Sequence, residues 1–178
     1  LRESGQEERM VPMTVMQAIE ARRSIRHYTQ QPVTDEELMA VLEAGRLAPS
    51  ARNTQSWQFT AVREKSLLEK LAVDCNGQQM MTETPAALVV WSHGDRTMGC
   101  GQSAATVDCS IALSFMLLRA TELGLGSCWL GAFDANAVKR TLALPEDAVV
   151  VAVTPLGHPA EQPSPRPRKN PSEVFDLR

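Results

Sequence analysis

The sequence predicts an α+β domain in which helices and strands follow one another along one chain, and three observations indicate this. Thr14 and Thr34 each precede a segment with a helical apolar pattern. The runs AALVVW at 86–91 and AVVVAVTPLG at 148–157 are apolar and β-branched, as strands are. Residues 103–123 repeat apolar side chains at spacings of three and four, which is typical of a long helix.

Two helices are predicted before residue 50. Thr14 can cap a helix that runs to about Arg22, with Val15 and Ile19 four residues apart on one face. The run TDEE at 34–37 has Thr at the N-cap and Glu at N3, which is a capping box. The helix that it opens is expected to bury Leu38, Val41, Leu42 and Leu47.

Two strands are predicted on either side of a third helix. The alternation of WQFTAVR at 57–63 predicts a strand, and SLLEKLAVD at 66–74 has a helical pattern. The continuous apolar run at 86–91 fits a strand in the middle of a sheet.

The longest helix and the last strand come next. The helix over 103–123 would be about 30 Å long and would end at Gly124, a residue type suited to a helix C-terminus. A shorter helix over 134–144 is expected to be capped by Asp134, and the last strand covers 148–157.

Composition divides the 178 residues into three parts. Residues 1–12 have no apolar h-region and are expected to be a mobile lead-in. Residues 13–157 are expected to form a single domain, since a chain of this length buries roughly 70% of its unfolded surface. Five of the 11 prolines lie in 158–178, which predicts a non-helical, extended arm lying on a surface.

Charge and cysteine usage exclude several classes of protein. The net charge is −3 and the pI is about 5.7, whereas a general nucleic-acid binder is normally basic. No apolar run approaches the roughly 20 residues of a membrane span, so neither a nucleic acid nor a membrane is expected as a partner. The cysteines have no C-x-x-C spacing and no ligand-like His nearby, which favours free thiols in the cytoplasm over a metal site.

Four polar clusters are candidates for chemistry. Alternate arginines in an extended chain point the same way, and guanidinium groups match the oxygens of a phosphate. Side-chain amides suit a heterocycle that has both donors and acceptors. If the clusters converge, they would fit the phosphate, polyhydroxyl chain and heterocycle of a mononucleotide. The clusters are ARRSIR at 21–26, APSARNTQSWQF at 48–59, GSCWLGAF at 126–133 and PRPRK at 165–169.

Each cluster also has a purely structural interpretation. Arginines at a helix C-terminus complement the helix dipole, and a Pro/Arg tail is commonly just solvated. Trp57 and Trp129 fit core or interface positions. Several standard sites are absent from the sequence: it has no G-x-G-x-x-G after a strand, no Walker lysine loop, and no G-x-S-x-G around Ser50.

Four motifs, taken in order, resemble those of the nitroreductase family of FMN-dependent NAD(P)H oxidoreductases, and the chain looks like a short member. The likeness runs from about residue 13 to 170. The motifs are Arg-Arg-Ser-x-Arg at 22–26, Pro-Ser-x-x-Asn-x-Gln-x-Trp at 49–57, Gly-Leu-Gly-x-x-Trp-x-Gly at 124–131, and Gly-x-Pro-Ala-Glu at 157–161 followed by Arg166 and Arg168.

The resemblance implies a nitroreductase-like fold, with a mainly antiparallel sheet flanked by helices, in an intertwined homodimer. Residues 13–157 would be the FMN-binding domain. The arm, residues 158–178, would contribute to the flavin site and be exchanged onto the partner. Two FMN molecules would lie at the interface.

The resemblance also implies roles for individual residues. Arg22, Arg166 and Arg168 would hold the phosphate, Ser24 would face the ribityl chain, and Arg26 would lie toward the pyrimidine edge. Pro49, Ser50 and Ala51 would reach the partner's flavin, while Trp129, Leu130 and Gly131 would give backbone contacts near the ring. Arg23, Asn53, Gln55 and Gln78 complete the cofactor-binding set. Asn53 is expected mainly to brace the loop and Gln55 to serve the site, and whether Asn76 or Gln78 reads the flavin edge stays open.

The implied reaction is a ping-pong cycle. NADH or NADPH would give a hydride to the flavin, and an electron-poor acceptor such as a nitroaromatic or quinone would then take the electrons. The protein would contribute orientation and electrostatics, with no dedicated acid, base or metal. Two alternatives remain: another reaction on the same fold, such as dehalogenation or flavin breakdown, and a flavin-binding module without turnover.

Overall fold

A four-stranded antiparallel sheet organises the part of the chain that the computed structural model describes, residues 13–178. The strands lie in the order β1-β2-β4-β3, and every neighbouring pair is antiparallel. Their bounds are β1 Trp57–Val62, β2 Ala86–His93, β3 Gly126–Ser127 and β4 Ala148–Gly157. The three predicted strands are confirmed, and the short β3 was not predicted. The lead-in expected at 1–12 lies outside the described residues.

Seven helices surround this sheet within residues 13–178. The predicted cap at Thr14 and the predicted capping box at Thr34 are confirmed, and Thr14 also forms a capping box, with Gln17. Asp134 caps its helix by accepting from the N–H groups of Asn136 and Ala137. The bounds are α1 Val15–Ala21, α2 Asp35–Arg46, α3 Lys65–Asp74, α4 Gln79–Glu83, α5 Ala104–Glu122, α6 Ala135–Thr141 and α7 Pro171–Val174. The predicted α+β class, with a mainly antiparallel sheet flanked by helices, is confirmed.

Both faces of β2 are buried, which explains its continuous apolar run. Leu88 and Val90 belong to the core cluster that includes residues of α2 and α5. Ala87 and Val89 point the other way, into a second cluster with α3, α4 and α6. Each fully buried aliphatic side chain contributes about 1.5–3 kcal/mol, so the two clusters fix the layers of the fold.

The burial expected for α2 is only partly correct. Leu38 and Val41 are buried and Leu42 is half-buried, as the helical pattern predicts. Leu47 is 64% exposed, so its expected burial is wrong. It is the C-cap residue of α2, where the backbone leaves the helix and no longer follows the face of the preceding turns.

Two other predicted apolar faces are not part of the core. Val15 and Ile19 of α1 are 73% and 49% exposed. In α5 the predicted apolar stripe of Val107, Ile111, Phe115 and Leu118 is half-buried or exposed. The core contacts of α5 come from Ala112, Leu113, Met116 and their neighbours, because this helix is apolar on nearly all sides.

By length and composition alone α5 is apolar enough to cross a membrane. Half of that apolar window is buried inside the protein, and the core helix of a soluble protein passes the same test.

The arm departs from the prediction at one point. Residues 171–174 form the short helix α7, so the expectation that the tail contains no helix is wrong there. Pro171 is at a first-turn position that tolerates proline, and Asn170 and Glu173 make a reciprocal capping box. The sequence contains these capping residues, but the prediction of a non-helical arm was based on its proline content.

Gly157, at the end of β4, is tightly enclosed. A Cβ there would lie 2.7 Å from Cδ and 2.9 Å from Cγ of Pro85. We expect Gly157→Ala to cost about 1–3 kcal/mol of unfolding free energy, because a proline ring cannot move aside as a flexible side chain does. Urea unfolding measures this loss. Gly99→Ala is the control, since its Cβ would meet nothing within 4 Å. Equal midpoints for the two variants would contradict the packing argument.

Candidate functional site

Two of the four polar clusters converge on one cavity of about 650 Å³. The cluster at 21–26 contributes the residues that follow α1, and the cluster at 165–169 contributes the proline-rich part of the arm. The convergence that the arginine pattern predicts therefore occurs within one chain. The lining residues are Ile19, Glu20, Arg22, Arg23, Ser24, Arg26, Pro163, Ser164, Pro165, Arg166 and Arg168.

The segment after α1 is held beside the short strand β3. Ser24 forms a parallel bridge with Ser127, and the N–H of Ile25 donates to the Ser127 carbonyl at 2.9 Å. The buried Tyr28 hydroxyl donates to the Ile25 carbonyl at 2.6 Å. Burial raises the pKa of Tyr28 far above its usual value, so the phenol stays protonated and keeps this bond.

The start of the arm pairs with the same segment. The N–H of Thr29 donates to the His158 carbonyl, and the N–H of Ala160 donates to the His27 carbonyl, both at 2.9 Å. This antiparallel pairing directs the following residues toward the cavity.

The five arginines at the cavity are used differently. Arg23 donates to the carbonyls of Glu20 at 2.5 Å and Arg22 at 3.0 Å, so it caps the C-terminus of α1. The structural interpretation of helix-end arginines therefore applies to Arg23. Arg26 donates to the Ser24 carbonyl at 3.3 Å. Within residues 13–178, the guanidinium groups of the other three, Arg22, Arg166 and Arg168, take part in no salt bridge.

The loop that carries Pro49, Ser50 and Ala51 is braced by residues that the sequence analysis did not single out. The Ala51 N–H donates to Oδ1 of Asp108 at 2.9 Å, and the Arg96 guanidinium donates to the Ala51 carbonyl at 3.2 Å. Asp108 is only 1% exposed. A carboxylate inside an otherwise apolar helix was the signal that could have identified it, because buried charges need a specific partner.

The two amides of this loop contact each other. Nε2 of Gln55 donates to Oδ1 of Asn53 at 3.1 Å, and the Gln55 N–H donates to Oγ of Ser50 at 3.0 Å. Asn53 and Gln55 have φ angles of 55° and 50°, a left-handed conformation that few non-glycine residues adopt. Such strain persists only where the surroundings hold it in place, and it is enriched at functional sites.

This loop and the cavity lie at opposite ends of α5. Asp108, which holds the loop, is near the start of the helix, while Thr121 lines a neighbouring cavity of about 320 Å³ together with Arg23. Their separation of 13 positions along the helix corresponds to about 20 Å at 1.5 Å per residue. The structure therefore does not bring Pro49, Ser50, Ala51, Asn53 or Gln55 to the arginine cavity of the same chain.

The third cluster continues from β3. Leu130 is buried, and its N–H donates to the Val153 carbonyl at 3.0 Å, while Gly131 is exposed. Trp129 packs against the core cluster that includes α2 and α5. Nε2 of Gln78, at the start of α4, donates to the Ala132 carbonyl at 3.1 Å. Gln78 is thus beside this cluster, and Ser127 connects the cluster to Ser24.

The buried thiols are poor nucleophiles. Burial raises the pKa of Cys75 to about 11 and that of Cys109 to about 12. Both stay protonated near neutral pH, and a protonated thiol is neither a nucleophile nor a metal ligand. Among residues 13–178, no group of three or more His, Cys, Asp or Glu side chains could hold a metal ion.

Comparison with known proteins identifies the family. The family model described as "Nitroreductase family" matches residues 19–93 and 73–158. A protein of Methanothermobacter thermautotrophicus, named as a candidate NADH dehydrogenase/NAD(P)H nitroreductase, is 34% identical over 166 residues, covering 91% of this chain and 86% of that protein. The FMN reductase [NAD(P)H] of Bacillus subtilis is 29% identical over 172 residues, covering 86% of this chain and 69% of that protein.

A solved structure shows the same fold. The NADPH:FMN oxidoreductase from Vibrio harveyi, complexed with NAD+, superimposes with a TM-score of 0.83 at 28% identity. The match covers 92% of this chain and 76% of that one. The chain described here belongs to the nitroreductase family.

Proposed function

We propose that this protein is an FMN-dependent oxidoreductase that passes electrons from NADH or NADPH to electron-poor acceptors such as nitroaromatics or quinones. The observation that carries the proposal is the convergence of Arg22, Arg166 and Arg168 with Ser24 on one cavity. Family membership supports the reaction class. The flavin and the nicotinamide donor are those named for the B. subtilis and V. harveyi relatives.

The residues of the cavity fit the phosphate end of FMN. Arg22, Arg166 and Arg168 have no carboxylate partner among residues 13–178, so their donors are available to phosphate oxygens. A phosphate monoester carries nearly two negative charges at neutral pH, and planar guanidinium groups bind its oxygens in pairs. Ser24 lines the same cavity, and its hydroxyl would hold the ribityl chain that follows the phosphate.

The chemistry is supplied by the cofactor. When bound, FMN would supply hydride acceptance from the nicotinamide and electron transfer to the acceptor, and the two half-reactions would make a ping-pong cycle. The chain's own part is to hold the phosphate with Arg22, Arg166 and Arg168 and to place the Trp129–Gly131 backbone near the ring. No side chain is assigned to move a proton.

We place the second half of the site on another copy of the same chain. Asp108, which holds the loop 49–55, and Thr121, which lies near the cavity, are about 20 Å apart along α5, and no residue of this loop lines the cavity of its own chain. In a two-fold dimer, each loop can meet the partner's cavity. Exposed apolar side chains support such an interface: Val15, Met16 and Ile19 on α1, Phe115 on α5, and Val174, Phe175 and Leu177 near the end of the arm.

The redox reaction can be tested without knowing the physiological acceptor. We expect the FMN-loaded protein to lose the absorbance of oxidised flavin when NADH or NADPH is added without oxygen, and a nitroaromatic or quinone to restore it. Double-reciprocal plots at several acceptor concentrations should be parallel, as ping-pong kinetics require. A protein that both donors leave oxidised would be a flavin-binding module. Intersecting plots would contradict the ping-pong cycle.

The phosphate site can be tested by removing two arginines. We expect Arg166→Ala with Arg168→Ala to weaken FMN binding by about two to four decades, since each charge-assisted contact is worth roughly 1.5–3 kcal/mol. Fluorescence titration of FMN measures the affinity. The control is Lys169→Ala with Arg178→Ala, which removes two positive charges that do not line the cavity. Equal affinity in the two double variants would contradict the assignment.

The proposal that each FMN site combines the cavity of one chain with the loop 49–55 of the other can be tested by complementation. We expect two double variants, Asn53→Ala with Gln55→Ala and Arg166→Ala with Arg168→Ala, to retain little FMN as homodimers. A heterodimer purified through two different tags should regain one of its two sites, because one cavity then meets an unmutated loop. Flavin absorbance per protein measures this recovery. If the loop served the cavity of its own chain, both sites would stay damaged and the heterodimer would remain nearly colourless.

A further inference from the structure

We infer that Glu161 is a positioning residue for the phosphate site, because its carboxylate fixes the arm at the point from which Arg166 and Arg168 reach the cavity. This inference rests on the proposed binding of the FMN phosphate in that cavity. Glu161 is not among the cavity-lining residues, and its effect would pass through the arm.

One carboxylate oxygen of Glu161 accepts two consecutive backbone N–H groups. Oε1 accepts from the N–H of Arg26 at 2.5 Å and from the N–H of His27 at 3.1 Å. These bonds follow directly after the backbone pairing of Ala160 with His27. Glu161 therefore extends the attachment of the arm by one residue, and it does so on the segment that carries Ser24 and Arg26.

Beyond Glu161 the arm makes no hydrogen bond or salt bridge to residues 13–161, since the bonds of residues 170–178 stay within the arm. Between Glu161 and Asn170, the residues 162–169 make no hydrogen bond or salt bridge to the described residues 13–178. The prolines at 163, 165 and 167 favour a stiff, extended backbone of about 3.1 Å per residue. A stiff segment held at one end transmits any change of angle at that end, so Glu161 determines where Arg166 and Arg168 lie.

The negative charge of Glu161 should by itself weaken phosphate binding. A carboxylate near a bound phosphate repels it, so on electrostatic grounds alone its removal should strengthen FMN binding. Removing a positioning contact should instead weaken FMN binding, because the arginines lose their fixed approach. The two effects differ in sign, and variants that separate charge from reach can therefore distinguish them.

Two conservative variants make that separation. Glu161→Asp keeps the charge but is one methylene shorter, so it cannot reach both N–H groups. Glu161→Gln loses the charge but keeps an oxygen that accepts both. We expect Glu161→Asp to weaken FMN binding about tenfold, the effect of one lost charge-assisted contact, and Glu161→Gln to bind FMN at least as tightly as the unchanged protein does.

Riboflavin, which lacks the phosphate, is the internal reference. The affinities for FMN and riboflavin are titrated on each variant of the full-length protein, and their ratio cancels any general loss of folded protein. We expect Glu161→Asp to lower this ratio and to leave riboflavin affinity unchanged. Glu146→Asp is the matched control: Glu146 does not line the cavity and its carboxylate makes no hydrogen bond within residues 13–178, so this variant should leave the ratio unchanged.

The outcomes separate this inference from the proposed function. Arg166→Ala with Arg168→Ala must itself lower the FMN-to-riboflavin ratio, and if it does not, the phosphate site is wrong. If it does and Glu161→Asp leaves the ratio unchanged, only the role of Glu161 is wrong. If Glu161→Gln binds FMN more tightly and Glu161→Asp binds FMN as tightly as the unchanged protein, the effect of Glu161 is purely electrostatic and the inference is overturned. In the double arginine background, Glu161→Asp should have no further effect, because it acts through those arginines.

Discussion

The candidate site depends on a few backbone hydrogen bonds that residues 25–29 make to two distant parts of the chain. One side of this segment bonds to Ser127, beside β3, and the other bonds to His158 and Ala160 at the start of the arm. The arm contact spans 135 positions of sequence, from Arg26 to Glu161. Closing so long a loop costs conformational entropy that local contacts cannot offset. The arginine cavity therefore depends on these long-range contacts with Ser127 and with the start of the arm.

Helix α5 sets the distance between the two halves of the site. Its alanines at 104, 105, 112 and 120 are buried, and α2 packs against it. Near its start Asp108 holds the loop 49–55, and near its end Thr121 lies beside Arg23. A helix buried along one side cannot bend to bring its ends together, so the loop and the cavity of one chain stay apart. In the proposed dimer the same rigidity is useful, because it presents each loop at a fixed distance to a second chain.

Local interactions made much of the fold predictable. The helix caps at Thr14 and Thr34 involve residues three apart, and the cap at Thr14 and the capping box at Thr34 were predicted from the sequence alone. The run at 86–91 required burial on both faces, which the two core clusters provide. The exposure of Val15 and Ile19 could not be predicted, because helical periodicity identifies an apolar face but not what covers it.

The candidate site could be predicted from the sequence only in part. The convergence of Arg22 and Arg26 with Arg166 and Arg168 follows from motifs in the sequence. The support of that site does not, since it depends on contacts between residues far apart. Asp108 of α5 accepts from the N–H of Ala51, and Arg96, between β2 and α5, donates to the carbonyl of the same residue. Glu161 ends the Gly-x-Pro-Ala-Glu motif, but its bonds to Arg26 and His27 do not follow from that motif.

Charge explains why such support is needed. The chain carries a net charge of −3, yet five arginines and a single carboxylate, that of Glu20, line the arginine cavity. Like charges at close range repel, so an arm without attachment would move Arg166 and Arg168 away whenever no anion is bound. The backbone pairing of residues 158–160, the bonds to Glu161 and the stiff prolines oppose that movement. A cavity held open in this way loses less conformational entropy when a phosphate binds, and more of the charge attraction appears as affinity.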